Sequence, residues 1–322
     1  MVDWPGLLKW SLKYQDNYTS SKDIKPMDEA TKKWLEEAFK AYSIDHVTKM
    51  KEIISSLPSN QDPLILLEDL SELIENLDAG LMFCQLKGMP VLVNLILNHK
   101  DQNVRLSACL IFQSIVQNSQ ENQKFALDAC GFKLIERVLN EVSIGNKEAA
   151  FSALSAMIRG ESLDIKREFI EIDGVEFLRK LLEEIKDSEK IRQKTLFLMK
   201  DLVHYDEMLN RRILTKEDLQ ENCEKFKGIV KKKLMEINFA SYFEEIIKNC
   251  SKIAIETRNS AAYILGELLM KYKDEFKEKK DKWLESIKAH LKELLTENPK
   301  NEGLFDNEIM MFKDLAHEFM KL

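Results

Sequence analysis

The chain has 322 residues, 44% of them hydrophobic and 32% charged, with a formal net charge of −7. That length can bury a substantial core, in one elongated unit or two compact ones. The acidic balance argues against a general nucleic-acid binder, which needs a basic phosphate-facing surface. Only 10 Gly and 6 Pro accompany the abundant Leu, Lys, Glu and Ile, which is the composition of helices, and no window approaches the roughly 20 apolar residues of a membrane span.

In chain order, residues 1–26 read as a flexible N-terminal segment. It carries one short apolar motif, Leu7, Leu8, Trp10 and Leu12, ahead of the polar run "QDNYTSSKD". The start "MVDWPGLLKW" lacks the long apolar stretch of a secretory signal, so a cytoplasmic protein is expected. Two amphipathic helices follow, "MDEATKKWLEEAFKAY" from Met27 and "DHVTKMKEIISSL" from Asp45, predicted to cap a larger array. Pro58 and Pro63 bracket a linker into it.

The array is announced by a repeat. Gly88, Gly131 and Gly174 stand 43 residues apart, each followed by apolar pairs at helical spacing, and each reads as punctuation before a new helix. Gly80 reads the same way, as the end of one unit's last helix. Before each Gly, the segments "LEDLSELIEN", "CLIFQSIVQN", "FSALSAMIRG" and "LFLMKDLVHY" align at offsets of 42, 42 and 45 residues. Leu70, Phe112, Leu154 and Met199 coincide, as do Leu73, Ile115, Met157 and Leu202, so an inward stripe recurs.

Beside that stripe, Ser71, Gln113, Ser155 and Lys200 coincide, and four residues on so do Glu75, Gln117, Arg159 and His204. Residues four apart share a helix face, which predicts a continuous polar ridge as the working surface. A period near 42 with several helices per unit predicts an all-α, armadillo-like helical-repeat solenoid, a right-handed superhelix of stacked helices. The core is assigned to 27–206 with its capping helices. Beyond Asp206 the beat weakens, and 207–322 is assigned to divergent C-terminal helical repeats and a cap.

The chain shows no phosphate-cradling glycine loop, no G-x-S-x-G elbow, and no C-x-x-C or H-E-x-x-H spacing among its five Cys and five His. Cys84, Cys109, Cys130, Cys223 and Cys250 read as reduced thiols. The basic runs at 231–233 and 277–282 have acidic neighbours and read as solvated faces. Neither a catalytic residue, a metal nor a cofactor is expected, and the pattern points to binding.

"ELIENLDAGLMFCQLKGMPVLV", "VRLSACLIFQSIVQNSQENQ" (104–123), "AAFSALSAMIRG" (149–160) and "LLKWSL" (7–12) together resemble the cytosolic armadillo-type nucleotide exchange factors of the heat-shock protein 70 chaperone, the Hsp-binding-protein or "Fes-one" family. The resemblance implies a non-enzymatic co-chaperone, monomeric alone, whose curved solenoid grips the chaperone's ATPase domain and loosens ADP. It also implies that Leu7, Leu8, Trp10 and Leu12 enter the chaperone's substrate groove and promote client release. The implied partner-binding residues are Glu75, Asp78, Gly80, Gln117, Asn118, Arg159, Lys194 and His204. The family usually has Asp-Asn-Ala where this chain has Asp78-Ala79-Gly80, so Asp78 and Gly80 carry over as contacts and Ala79 does not. The alternative is an armadillo-type interaction scaffold without exchange activity. Nucleic acid and membrane are not expected as partners.

Overall fold

A computed structural model describes residues 28–75, 77–160, 162–185, 188–211, 228–249 and 252–322. Leu7, Leu8, Trp10 and Leu12 lie outside these residues, as do Cys223 and Cys250. Among the described residues all regular elements are helical.

The first helix, α1 (Glu29–Ser56), is capped by Asp28, whose carboxylate accepts the Thr31 N–H at 2.8 Å. The sequence predicts two helices here and the structure has one. Neither Gly nor Pro interrupts the chain between Tyr42 and Asp45, so nothing forces the helix to stop. Helix α2 (Leu64–Leu73) buries Leu67, Leu70 and Leu73.

Three-helix units follow. The first contains α3 (Leu77–Gln85), α4 (Gly88–Asn98) and α5 (Gln102–Val116), and the second α6 (Gln120–Cys130), α7 (Leu134–Asn140) and α8 (Ile144–Ile158). The third contains α9 (Leu163–Glu171), α10 (Gly174–Glu184) and α11 (Glu189–Arg211). The stack continues past Asp206 with α12 (Ile229–Glu236), α13 (Phe239–Lys248) and α14 (Ile255–Lys271). It closes with α15 (Lys273–Phe276), α16 (Lys280–Glu297) and α17 (Asp306–Met320). Helices α2, α5, α8, α11, α14 and α17 pack in that order, each on the next, as the inner layer of a solenoid.

Leu70, Phe112, Leu154, Met199 and Leu202 are all fully buried, at positions the aligned segments single out, and so is Phe151 beside them. The buried thiols of Cys84, Cys109 and Cys130 belong to this core, and burial pushes each up to about 12. Among the described residues no single helix is long and apolar enough to cross a membrane; α3 and α4 are so only taken together, and they are bent by 87°.

The repeat glycines divide by role, where the sequence reads them alike. Gly88 and Gly174 open α4 and α10 after Lys87 and Asp173, which take the left-handed conformation themselves. A Cβ on Gly88 would lie 2.4 Å from the Phe83 ring, and one on Gly174 2.4 Å from that of Phe169, so close packing requires glycine. Gly131 instead has φ +53° and ψ −131° at the end of α6, with open space around it, and α7 starts only at Leu134. Gly80 ends no helix: it is buried inside α3, where a Cβ would meet Asn122 at 3.2 Å and the Ile115 backbone at 3.7 Å.

Candidate functional site

The inner helices α5 and α8 end in the same way. Gln117 and Arg159 are their C-caps, both in extended conformation (ψ 125° and 142°), and each donates its N–H to the carbonyl four residues back at 2.9 Å. The next residue turns the chain with positive φ, Asn118 at 61° and Gly160 at 130°. Asn tolerates the left-handed region and Gly favours it, which is why these two residues can stop the helices there.

This geometry corrects the expected ridge. Glu75, Gln117, Arg159 and His204 are all exposed, but the first three sit in the turns that close α2, α5 and α8, and only His204 lies on a helix face. The parallel row is not continuous, because Ser71 is exposed, Gln113 and Lys200 are half-buried, and Ser155 is 3% exposed. A serine is too short to leave the α8 packing, whereas Lys200 carries its ammonium out on a long stem to 5.2 Å from the Tyr263 ring centre. The result is a polar edge along consecutive helix ends, joined by one face of α11.

That face carries Lys190, Lys194, Phe197, Asp201 and His204 at spacings of four, three, four and three residues, one stripe of a helix. Arg159 bridges to it. Its Nε lies 2.7 Å from Asp201 Oδ2, and its guanidinium carbon lies 5.7 Å from the Phe197 ring centre. Lys190 reaches Glu148 Oε2 at 3.4 Å. Lys194 is half-buried; burial first, and then repulsion from Lys190 and Arg159, holds its pKa below that of an ordinary lysine.

At the other end, Glu75 is exposed in the turn after α2, and Asp78 is exposed in the first turn of α3, where a carboxylate suits the helix N-terminus. The edge is therefore acidic at Glu75 and Asp78, neutral at Gln117 and Asn118, and cationic around Arg159 and Lys194. Gly80 does not face solvent with them; it packs under the junction of α5 and α6. Sequence reasoning missed Asp201 and Phe197, although their same-face spacing with Lys194 and His204 was legible. It also missed the buried amides of Asn122 and Gln123 beneath the edge. Among the described residues, no three His, Cys, Asp or Glu side chains are placed to hold a metal ion.

Comparison with known proteins matches residues 79–320 to the model of the SIL1/FES1/HPBP1 C-terminal domain and residues 5–80 to that of the nucleotide exchange factor Fes1. Hsp70-binding protein 1 of Rattus norvegicus is 26% identical over 196 residues, covering 55% of this chain and 54% of that protein. The Hsp70 nucleotide exchange factor FES1 of Saccharomyces cerevisiae is 25% identical over 203 residues, covering 60% and 68%. The chain thus spans about half the length of the Hsp70-binding protein 1 relative. Among solved structures, an engineered protein superposes with a TM-score of 0.59 at 17% identity, over 84% of this chain and 96% of that one, a likeness of fold.

Proposed function

This chain belongs to the SIL1/FES1/HPBP1 family, and from that premise we propose that it is a co-chaperone that binds the ATPase domain of an Hsp70 chaperone and accelerates release of ADP. The observation that carries the reading is the polar edge, with its charge running from Glu75 and Asp78 to Arg159 and Lys194 across consecutive repeats. A rigid inner layer holds these groups at the spacing of the repeat, so a partner domain of complementary charge pattern meets several at once.

The mechanism is differential binding. If the factor grips the open, nucleotide-free ATPase domain more tightly than the closed, ADP-bound one, its binding shifts the population toward the open form and ADP leaves. By reciprocity, ADP weakens the factor's grip by the same ratio. No covalent step falls to the factor. Glu75, Asp78, Gln117, Asn118, Arg159, Lys194 and His204 are the proposed contacts, and Leu7, Leu8, Trp10 and Leu12 the proposed occupants of the chaperone's substrate groove. A cytoplasmic, monomeric protein is part of the same reading.

The test is stopped-flow release of a fluorescent ADP analogue from an isolated Hsp70 ATPase domain. Faster release in the presence of this protein, lost on Arg159→Glu with Lys194→Glu, is the expected result. Binding without acceleration would turn the reading to a scaffold.

A further inference from the structure

We infer that Gln123 is a positioning residue for the cationic half of this surface, an inference whose functional consequence rests on the exchange-factor reading. Gln123 lies on α6 and is 1% exposed. Its Nε2 donates to two carbonyls at the end of α8, Ala156 O at 3.0 Å and Arg159 O. Its neighbour Asn122, 2% exposed, donates from Nδ2 to Ile115 O at 2.9 Å, near the end of α5. Two adjacent amides on one short turn of α6 thus hold the carboxyl ends of two successive inner helices.

Carbonyls in the last turn of a helix have no partner within it, and when buried they need a donor from elsewhere. Gln123 supplies that donor to α8. The backbone after Arg159 lies hard against the amide, since a Cβ on Gly160 would stand 3.0 Å from Gln123 Nε2. From the other side, Lys166 Nζ donates to Gly160 O. The Arg159–Gly160 turn is therefore held by α6 and by α9 together, and the Arg159 side chain leaves from a fixed point toward Asp201 and Phe197.

The role is that of a donor, because Gln123 Oε1 is buried without a protein partner among the described residues. Gln123→Glu keeps the shape, removes both donors and sets carboxylate oxygens against carbonyl oxygens. Gln123→Met keeps the volume without donors or charge, and serves if the first variant does not fold.

Affinity for the isolated Hsp70 ATPase domain is measured by calorimetry for the wild type, Gln123→Glu, Gln123→Met, Arg159→Ala and the double variants. Each single substitution is expected to weaken binding by about five- to tenfold, the factor of one lost hydrogen bond. The double variants are expected to bind no more weakly than Arg159→Ala alone, because Gln123 acts through Arg159. Amide hydrogen exchange without the partner should quicken by about tenfold at 159–160 and in the first turn of α9, with α12 to α17 unchanged. Fully additive losses, or unchanged exchange at that turn, would overturn the inference. Failure of the wild type to bind the ATPase domain would sink the exchange-factor reading instead, and the exchange experiment would still decide the positioning role.

Discussion

Arg159 and Asp201 are 42 residues apart in sequence and 2.7 Å apart in space, Nε to Oδ2. The ion pair joins the end of α8 to the face of α11, three residues before His204, the position that aligns with Arg159 at the 45-residue offset. Both side chains are partly exposed (46% and 29%), and such pairs contribute little to stability. Arg159→Ala should therefore leave chemical-denaturation stability within about 1 kcal/mol of wild type, while Arg159→Glu should slow stimulated ADP release by at least about tenfold through an interfacial charge clash. Equal losses of stability and of exchange would show the pair to be structural only.

Lys194 connects electrostatics with stability in the opposite sense. Its folded pKa is depressed from 10.5, so between that value and 10.5 the unfolded chain binds more protons. Stability should therefore rise with pH across that window. Lys194→Met removes a half-buried, mutually repelled charge and should raise the melting temperature by about 1–2 °C, while weakening binding to the ATPase domain. A fall in melting temperature would mean that Lys194 has a stabilising partner in solution.

The repeat glycines should separate under substitution. Gly174→Ala places a Cβ 2.4 Å from the Phe169 ring and 2.5 Å from its backbone oxygen, whereas for Gly88→Ala the three nearest atoms all belong to the Phe83 ring. Rings shift more readily than backbone. Urea denaturation should show Gly174→Ala the more damaging, with a loss of about 2–3 kcal/mol against about 1–2 for Gly88→Ala. Gly131→Ala should also destabilise, by about 1–3 kcal/mol, through its backbone conformation rather than any contact.

The C-terminal helices are tied by a buried group. Glu308 accepts Arg258 Nε at 2.6 Å and Nη2 at 2.8 Å, and His290 Nε2 lies 2.9 Å from the same carboxylate. Burial alone would raise its pKa, but the Arg258 and His290 hydrogen bonds overcome it and hold the pKa below 4.5. The stabilisation is thus present above the unfolded carboxylate value and is lost as pH falls through the folded one. Glu308→Gln, which deprives Arg258 of that carboxylate, should cost about 3 kcal/mol and flatten the acid side of the stability profile. An unchanged profile would assign the acid sensitivity elsewhere.

The N-terminal segment gives the fifth test. Deletion of the residues before Lys22 should leave ADP release from the ATPase domain unchanged and slow client release from full-length Hsp70. Client release unaffected by the deletion would remove Leu7, Leu8, Trp10 and Leu12 from the mechanism.

The fold was legible because burial leaves a periodic trace. Leu70, Phe112, Leu154 and Met199 must all face inward in successive units, so the apolar pattern recurs with the repeat. Which residues reach the surface, and from where, was less so. Glu75, Gln117 and Arg159 share a register but not a helix face, since the helices stop one or two residues before them in backbone conformations that a polar pattern does not encode. Gly80 and Gly88 look alike in sequence, yet only the segments packed on the first, Ile115 of α5 in the same unit and Asn122 of α6 in the next, show it to be packed within a helix.

By itself, then, the sequence determined the class of element, the repeat and the inward stripe, because these depend on local periodicity and on the cost of leaving apolar surface in water. Only the tertiary structure decided the site: Arg159 meets Asp201, and Gln123 meets the end of α8, across separations of 42 and 36 residues. Contacts of that kind depend on the stagger of packed helices, which side-chain volumes set jointly across units and no single segment specifies.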